Sequence, residues 1–204
     1  MSRQKLLLVM TLGAIPIAAL LPSVVMAQNQ LLGEVEILGK TKVEKTSGVW
    51  VDGQYLGYVN ELTGDKKILL LPGDHEIDVR QAGYLEQDQK VTVEPGKKTT
   101  INVSMQRDPK AQFPSGATAE VKLDVTPDRA AVFVDDAYVG TPKEFGGVGR
   151  AMVIAPGKHH VKIALAGYQD FTTEINLRPG QKIKIKTDLL AGSITQAGPA
   201  IKSN

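Results

Sequence analysis

The chain has no cysteine among its 204 residues and only three histidines. The lack of cysteine excludes disulfide bonds, a thiolate nucleophile and a cysteine-ligated zinc site. The histidines are His75, His159 and His160. No further histidine is present to complete a ligand set, so we predict no metal site.

The chain also carries little net charge. Of the 24 basic residues, Arg3 and Lys5 lie in the first 27 residues, which hold no acidic residue, so the rest of the chain carries 22 basic and 22 acidic residues. A neutral chain offers no electrostatic attraction to a polyphosphate backbone, and we therefore predict that nucleic acid is not a partner. Hydrophobic residues make up 42% of the chain, a content typical of a folded globular protein.

Residues 1–27 have the pattern of a signal peptide. A basic start is followed by an apolar run from Leu6 to Leu21, and Val25 and Ala27 place small residues where a signal peptidase reads them. We expect cleavage after Ala27, with a short lead-in at 28–32, and a protein exported to the periplasm or the cell surface. Residues 6–27 carry no charge, so an uncleaved membrane anchor is the alternative.

One stretch occurs twice and organises the remainder of the chain. Pro72-Gly73 and Pro156-Gly157 are each followed, after nine intervening residues, by a Gly-Tyr pair at Gly83-Tyr84 and Gly167-Tyr168. The match extends over two units, which we place at 33–105 and 120–190, joined by a proline-containing linker at 106–119 and followed by a flexible tail at 191–204. A duplicated domain explains this repetition.

Each unit alternates apolar and polar residues with a period of two. This pattern predicts about seven short β-strands per unit and an all-β fold. No stretch longer than a turn shows the periodicity of an amphipathic helix.

A hairpin in each unit places two aromatic residues opposite each other. Asp52-Gly53 is a two-residue turn signal, and this geometry puts Trp50 directly across from Tyr55, as it puts Phe133 across from Tyr138. Such a pair can simply stabilise the sheet, by about 0.2–1 kcal/mol. An exposed pair can instead stack on a sugar ring or contact a partner protein. The candidate contact residues are Trp50, Tyr55, Phe133 and Tyr138.

No motif for catalysis or cofactor binding occurs in the chain. Glu61 and Glu144 are repeated between the units, but acid–base chemistry needs a partner group within reach. A hydrolase would need a second carboxylate about 5–10 Å from one of them. His75 and His159 share strand parity with buried residues and are predicted to be structural. We therefore predict a protein that is not an enzyme, with no cofactor and no catalytic residue.

Several of these motifs together resemble the PEGA domain family. They are Val49-Trp50-Val51-Asp52-Gly53, Pro72-Gly73-Asp74-His75 and Gly83-Tyr84 in the first unit, and Thr126-Pro127, Gly140-Thr141-Pro142, Pro156-Gly157-Lys158-His159 and Gly167-Tyr168 in the second. The second unit fits more closely, because the first has Tyr58-Val59 where Thr-Pro is expected. The resemblance implies two tandem β-sandwich domains of a bacterial or archaeal envelope protein, similar to surface-layer proteins. It implies no catalytic residues.

These observations predict an exported, non-catalytic protein that is a structural or protein-interaction module of the cell envelope. The alternative is a carbohydrate-binding module that uses the aromatic pairs. The expected partner is accordingly an envelope protein or an envelope polysaccharide such as peptidoglycan. A membrane would be involved only if the signal segment stays uncleaved.

Overall fold

The computed structural model describes residues 31–64 and 66–192, and the backbone of 201–202. The predicted signal peptide lies outside these residues, as does most of the predicted lead-in and tail. Within the described part of the chain, no helix is long and apolar enough to cross a membrane.

The first domain contains seven strands, one short α-helix and one 3-10 turn. They are β1 Gly33–Leu38, α1 Lys42–Thr46, β2 Gly48–Val51, β3 Gln54–Tyr58, the 3-10 turn Val59–Glu61, β4 Ile68–Leu70, β5 Gly73–Arg80, β6 Gln87–Val93 and β7 Lys98–Asn102. β1 pairs with β4 in antiparallel and with β7 in parallel orientation, and the second sheet has the order β3-β2-β5-β6. Alternate residues of both sheets, among them Ile37, Val51, Ile77 and Ile101, form the buried core between them.

The second domain repeats this arrangement. Its elements are β8 Ala119–Thr126, β9 Ala131–Val134, β10 Ala137–Gly140, α2 Pro142–Phe145, β11 Met152–Ile154, β12 Gly157–Ala164, β13 Phe171–Leu177 and β14 Lys182–Asp188. The sheet orders β11-β8-β14 and β10-β9-β12-β13 correspond strand for strand to those of the first domain. The prediction of an all-β chain with two tandem domains of about seven strands is therefore confirmed.

Two short helices, each about one turn long, interrupt the strands. At α1, the Thr41 side chain accepts a hydrogen bond from the backbone N–H of Glu44 (3.2 Å), and the Glu44 carboxylate accepts one from the backbone N–H of Thr41 (2.8 Å). At α2, the Glu144 carboxylate likewise accepts from the backbone N–H of Thr141 (3.1 Å). Both helices are too short to show a hydrophobic period, and these caps stabilise them instead.

The two predicted hairpins are confirmed. Asp52 and Gly53 have φ angles of +50° and +76°, as a two-residue turn between twisted strands requires. The register pairs Trp50 with Tyr55 and Phe133 with Tyr138.

The described residues near the C-terminus pair with both domains. Ala191 forms a bridge with Tyr168 of the second domain. The last described strand, β15 Ile201–Lys202, lies antiparallel to β4 and extends that sheet of the first domain. The residues of the predicted tail between 193 and 200 are outside the described part.

Candidate functional site

The two aromatic hairpins pack against each other at the junction of the domains. The ring centroid of Trp50 lies 5.0 Å from those of both Tyr55 and Tyr138, and the Trp50 and Tyr138 rings are nearly perpendicular, at 88°. Phe133 completes the group, 6.4 Å from Trp50 and 5.9 Å from Tyr138. These separations and tilted orientations are those that aromatic quadrupoles favour. We call these four residues the aromatic junction.

The burial of these rings bears on the hypothesis that an exposed aromatic pair stacks on a sugar ring or contacts a partner protein. Trp50 and Tyr55 are only 4% and 5% exposed. Strand period places both on the face of their sheet opposite the core of the first domain, so that face is covered by the second domain and not by solvent. The side chains of Trp50 and Tyr55 therefore cannot act as an open platform for a sugar ring or a partner, whereas Phe133 and Tyr138 stay partly buried against them.

Polar contacts surround the aromatic junction. The Tyr55 hydroxyl donates a hydrogen bond to the backbone carbonyl of Arg129 (3.0 Å), and the Arg129 guanidinium donates to the Glu61 carboxylate (3.1 Å). Lys143 donates to the hydroxyl of Tyr58 (3.0 Å). Each contact joins one domain to the other, so the junction combines apolar burial with hydrogen bonds that fix its geometry.

The two repeated glutamates have structural surroundings. Glu61 is buried, with one carboxylate oxygen 3.1 Å from Arg129 and 3.6 Å from Lys66. Glu144 caps α2, and its burial raises the pKa of its carboxyl group despite the opposing hydrogen bonds from Thr141. In the described structure Glu61 thus pairs with cations, and Glu144 accepts hydrogen bonds at the start of α2.

Each domain contains one histidine–aspartate clamp at its hairpin turn. His75 Nδ1 lies 2.7 Å from the Asp52 carboxylate and Nε2 lies 2.8 Å from the Leu71 carbonyl oxygen. His159 makes the same two contacts, with Asp135 (2.7 Å) and the Ala155 carbonyl (2.9 Å). A carbonyl and a carboxylate both accept, so an imidazole satisfies both only when both ring nitrogens carry a proton. The clamp ties the hairpin turn to the start of the neighbouring strand.

The clamp in the first domain predicts a stability that depends on pH. Burial opposes the charge on His75, but the hydrogen bonds to Asp52 and Leu71 outweigh it, so the pKa of the imidazole is raised above its ordinary 6.5. A raised pKa in the folded state contributes stability that is fully present below the unfolded pKa and is lost as pH rises through the folded pKa. We expect the free energy of unfolding in urea to fall over this interval, from about pH 6 upward.

Asp52→Asn is the matched variant for this pH effect. Asparagine tolerates the positive φ angle at this turn, so the variant removes the charge and keeps the turn. The wild-type protein should lose more stability between about pH 6 and about pH 8.5 than Asp52→Asn loses. Equal losses in the two proteins would show that the clamp does not titrate as described.

Among the described residues, one acidic group has the spacing of metal ligands, namely Asp78, Glu86 and Asp88. The Arg80 guanidinium lies within this group, 3.3 Å from Asp78 and also paired with Glu86. Two of the three carboxylates are thus paired with a cationic side chain of the protein.

A cleft of about 590 Å³ opens beside the aromatic junction, between the two domains. α1 and the end of β3 form one wall, and α2 and the loop 146–150 form the other. Its charged lining consists of Lys42, Lys45, Lys143, Arg150 and Glu144. Sequence reasoning missed this cleft, because it depends on how the two domains meet.

A model of the PEGA domain family matches residues 42–109 and again 118–192. The chain belongs to the PEGA domain family. The two matches cover more than half of the sequence and confirm the predicted tandem copies. PEGA domains are modules of an extracellular type.

No curated protein matches the sequence. A solved structure that matches is the Bacillus anthracis TIE protein, with 16% sequence identity over 78% of this chain and a TM-score of 0.27. The match covers 34% of that protein's chain, so this chain corresponds to about a third of it.

The PEGA motifs can now be assigned to positions in the fold. Asp52 and Asp135 occupy the hairpin turns, and the histidines of the Pro-Gly-x-His motifs are the clamp residues that bind them. The first PEGA domain lacks Thr-Pro at Tyr58-Val59, and there the 3-10 turn Val59–Glu61 replaces the short helix α2 of the second. This substitution places Tyr58 against Lys143 at the domain junction.

Proposed function

We propose that this PEGA protein is an exported, non-catalytic module of the bacterial cell envelope that binds an extended segment of another envelope protein. The proposal is supported by how the chain uses its chemically versatile side chains. The aromatic pairs join the domains, His75 and His159 clamp turns, and the repeated glutamates bind Arg129 or cap α2. What remains for a partner is the outer surface and the edges of the sheets.

One edge carries the proposal. β11 pairs with β8 on one side only, and no strand lies on its other side in residues 31–64, 66–192 and 201–202. The equivalent edge of the first domain, β4, is paired with β15. An uncovered edge presents backbone N–H and C=O groups to which a further strand can add. Val153, in the middle of β11, is 55% exposed and offers an apolar contact beside that edge.

A substitution at this edge tests the proposal. Val153→Lys places a charge where a strand would add, and charged edge residues oppose such pairing. We expect the protein, immobilised and incubated with envelope extract, to retain a partner that Val153→Lys retains about tenfold less. Purified peptidoglycan serves as a parallel bait.

The matched control is Val148→Lys, the same change at a fully exposed position in the preceding loop. It should retain the partner as the wild-type protein does. If Val153→Lys retains the partner equally well, or if only peptidoglycan binds, the edge is not the binding surface.

A second candidate is an envelope polysaccharide, and one groove favours it. The groove, of about 620 Å³, is lined by Trp50, Tyr55 and Phe133 together with the polar Gln169 and Asp170. Of these rings only Phe133 has appreciable exposure, so a sugar would have to contact that ring. Loss of peptidoglycan binding in Phe133→Leu, with folding retained, would support this candidate, and unchanged binding would remove it.

A further inference from the structure

The cleft between the domains gathers cations from both of them. Lys42 and Lys45 lie three residues apart on α1, so they share a face of that helix. Lys143 projects from α2, and Arg150 follows the glycine-rich loop. All four side chains belong to exposed residues, so they are accessible to a ligand.

These cations have few opposing charges. In the part of the chain that the structure describes, none of the four forms an ion pair with a carboxylate. On the sheet faces, by contrast, lysines lie directly against acids, as Lys98 does on Glu36 (2.8 Å) and Lys184 on Asp124 (2.7 Å). Asp128 and Glu61 act on Lys143 only from a distance. Cations held together in this way repel one another and raise the local concentration of anions.

Glu144 also lines the cleft, but its carboxylate neutralises little of the positive charge of the four cations. Glu144 directs its carboxylate to the backbone N–H and the hydroxyl of Thr141, at 3.1 Å and 3.3 Å. Lys143 donates to the hydroxyl of Tyr58, and this hydrogen bond raises the pKa of its ammonium group, which therefore stays charged. Tyr58 thus positions one cation at the mouth of the cleft.

We propose that this cleft binds an anionic ligand that carries phosphate groups. A phosphate presents several oxygens, which can accept from a guanidinium fork and from separate ammonium groups at the same time. A ligand with a single carboxylate group could not pair with four cations that lie on opposite walls. Domain junctions are frequent positions for ligand sites. This site does not involve the β11 edge, so the two proposals can fail independently.

Titration of the full chain with tripolyphosphate at low salt tests the proposal. Each cation can contribute a charge-assisted hydrogen bond, so removing one should weaken binding about tenfold. We expect this loss for Lys45→Gln and for Arg150→Gln, which act from opposite walls. Lys158→Gln and Lys186→Gln remove the same charge from exposed positions elsewhere on the second domain and should bind within about twofold of the wild-type protein.

Two further arms identify the source of the phosphate. Vesicles that contain phosphatidylglycerol, compared with vesicles of phosphatidylcholine alone, show whether a lipid headgroup can supply it. Polyglutamate, a carboxylate polymer, should bind at least about tenfold more weakly than tripolyphosphate. The proposal is overturned if neither tripolyphosphate nor the anionic vesicles bind, if polyglutamate binds equally well, or if the control variants lose as much affinity as the cleft variants.

Backbone NMR of the wild-type protein provides a test that needs no variant. Tripolyphosphate should shift the amide signals of α1 and α2 and leave those of β6 and β13 unchanged. Shifts spread evenly over the surface would indicate non-specific ion binding and would contradict the proposal.

Discussion

Trp50→Ala is expected to lower the free energy of unfolding of the two-domain chain by about 3–5 kcal/mol. The indole is 4% exposed and contacts aromatic rings of both domains, with the Arg80 guanidinium 4.8 Å from the centre of its ring. Its loss leaves a cavity on the docking face of each domain. Trp50 is not part of the first domain's core but adjoins the buried cluster of the second domain, so the variant should still fold, with weaker coupling between its halves.

Urea denaturation followed by circular dichroism measures this effect. Phe113→Ala is the control, because that ring is 69% exposed and its loss should change stability by no more than about 0.5 kcal/mol. A Trp50→Ala protein as stable as Phe113→Ala would show that the hairpins do not hold the domains together.

Arg129→Met is expected to destabilise the protein by about 1–3 kcal/mol. The Arg129 guanidinium donates to Glu61, whose side chain is only 6% exposed, and it also lies 3.5 Å from the Leu56 carbonyl oxygen. Methionine keeps much of the side-chain volume and leaves a buried carboxylate with less compensation.

A double-mutant cycle separates this interaction from general disturbance. Glu61→Gln combined with Arg129→Met should cost less than the sum of the two single changes, because the pair is then removed together. Strict additivity in the unfolding free energies would mean that the contact between these side chains contributes nothing to joining the domains.

The sequence alone predicted the parts of this fold that depend on local chemistry. Asp52-Gly53 determines a turn by its positive φ angles, and the turn determines that Trp50 faces Tyr55. The alternation of side chains between the two faces of a strand correctly placed Trp50 on the sheet face opposite the core. It could not show that this face is covered, because docking of the second domain depends on contacts between residues far apart in the sequence, such as Trp50 with Tyr138, 88 positions later.

Two further features were accessible from the sequence but were not predicted. Thr41 and Glu44, like Thr141 and Glu144, have the spacing of a capping box, which indicates a helix start even where no hydrophobic period can be seen. Asp52 with His75, and Asp135 with His159, recur at nearly the same separation in the two PEGA domains. A pair repeated in this way indicates a contact between its members. The basic cleft carries no such signal, since its cations come from separate domains.

The most direct test of the central claim, that the aromatic hairpins join the two PEGA domains into one unit, is acrylamide quenching of tryptophan fluorescence. Trp50 is the only tryptophan in the chain, so the emission reports on the junction alone. Trp50 in the native protein should be strongly protected from acrylamide, and urea should remove this protection. Quenching of the native protein as efficient as that of the urea-unfolded chain would show that the Trp50 face is open to solvent and that the hairpins do not join the domains.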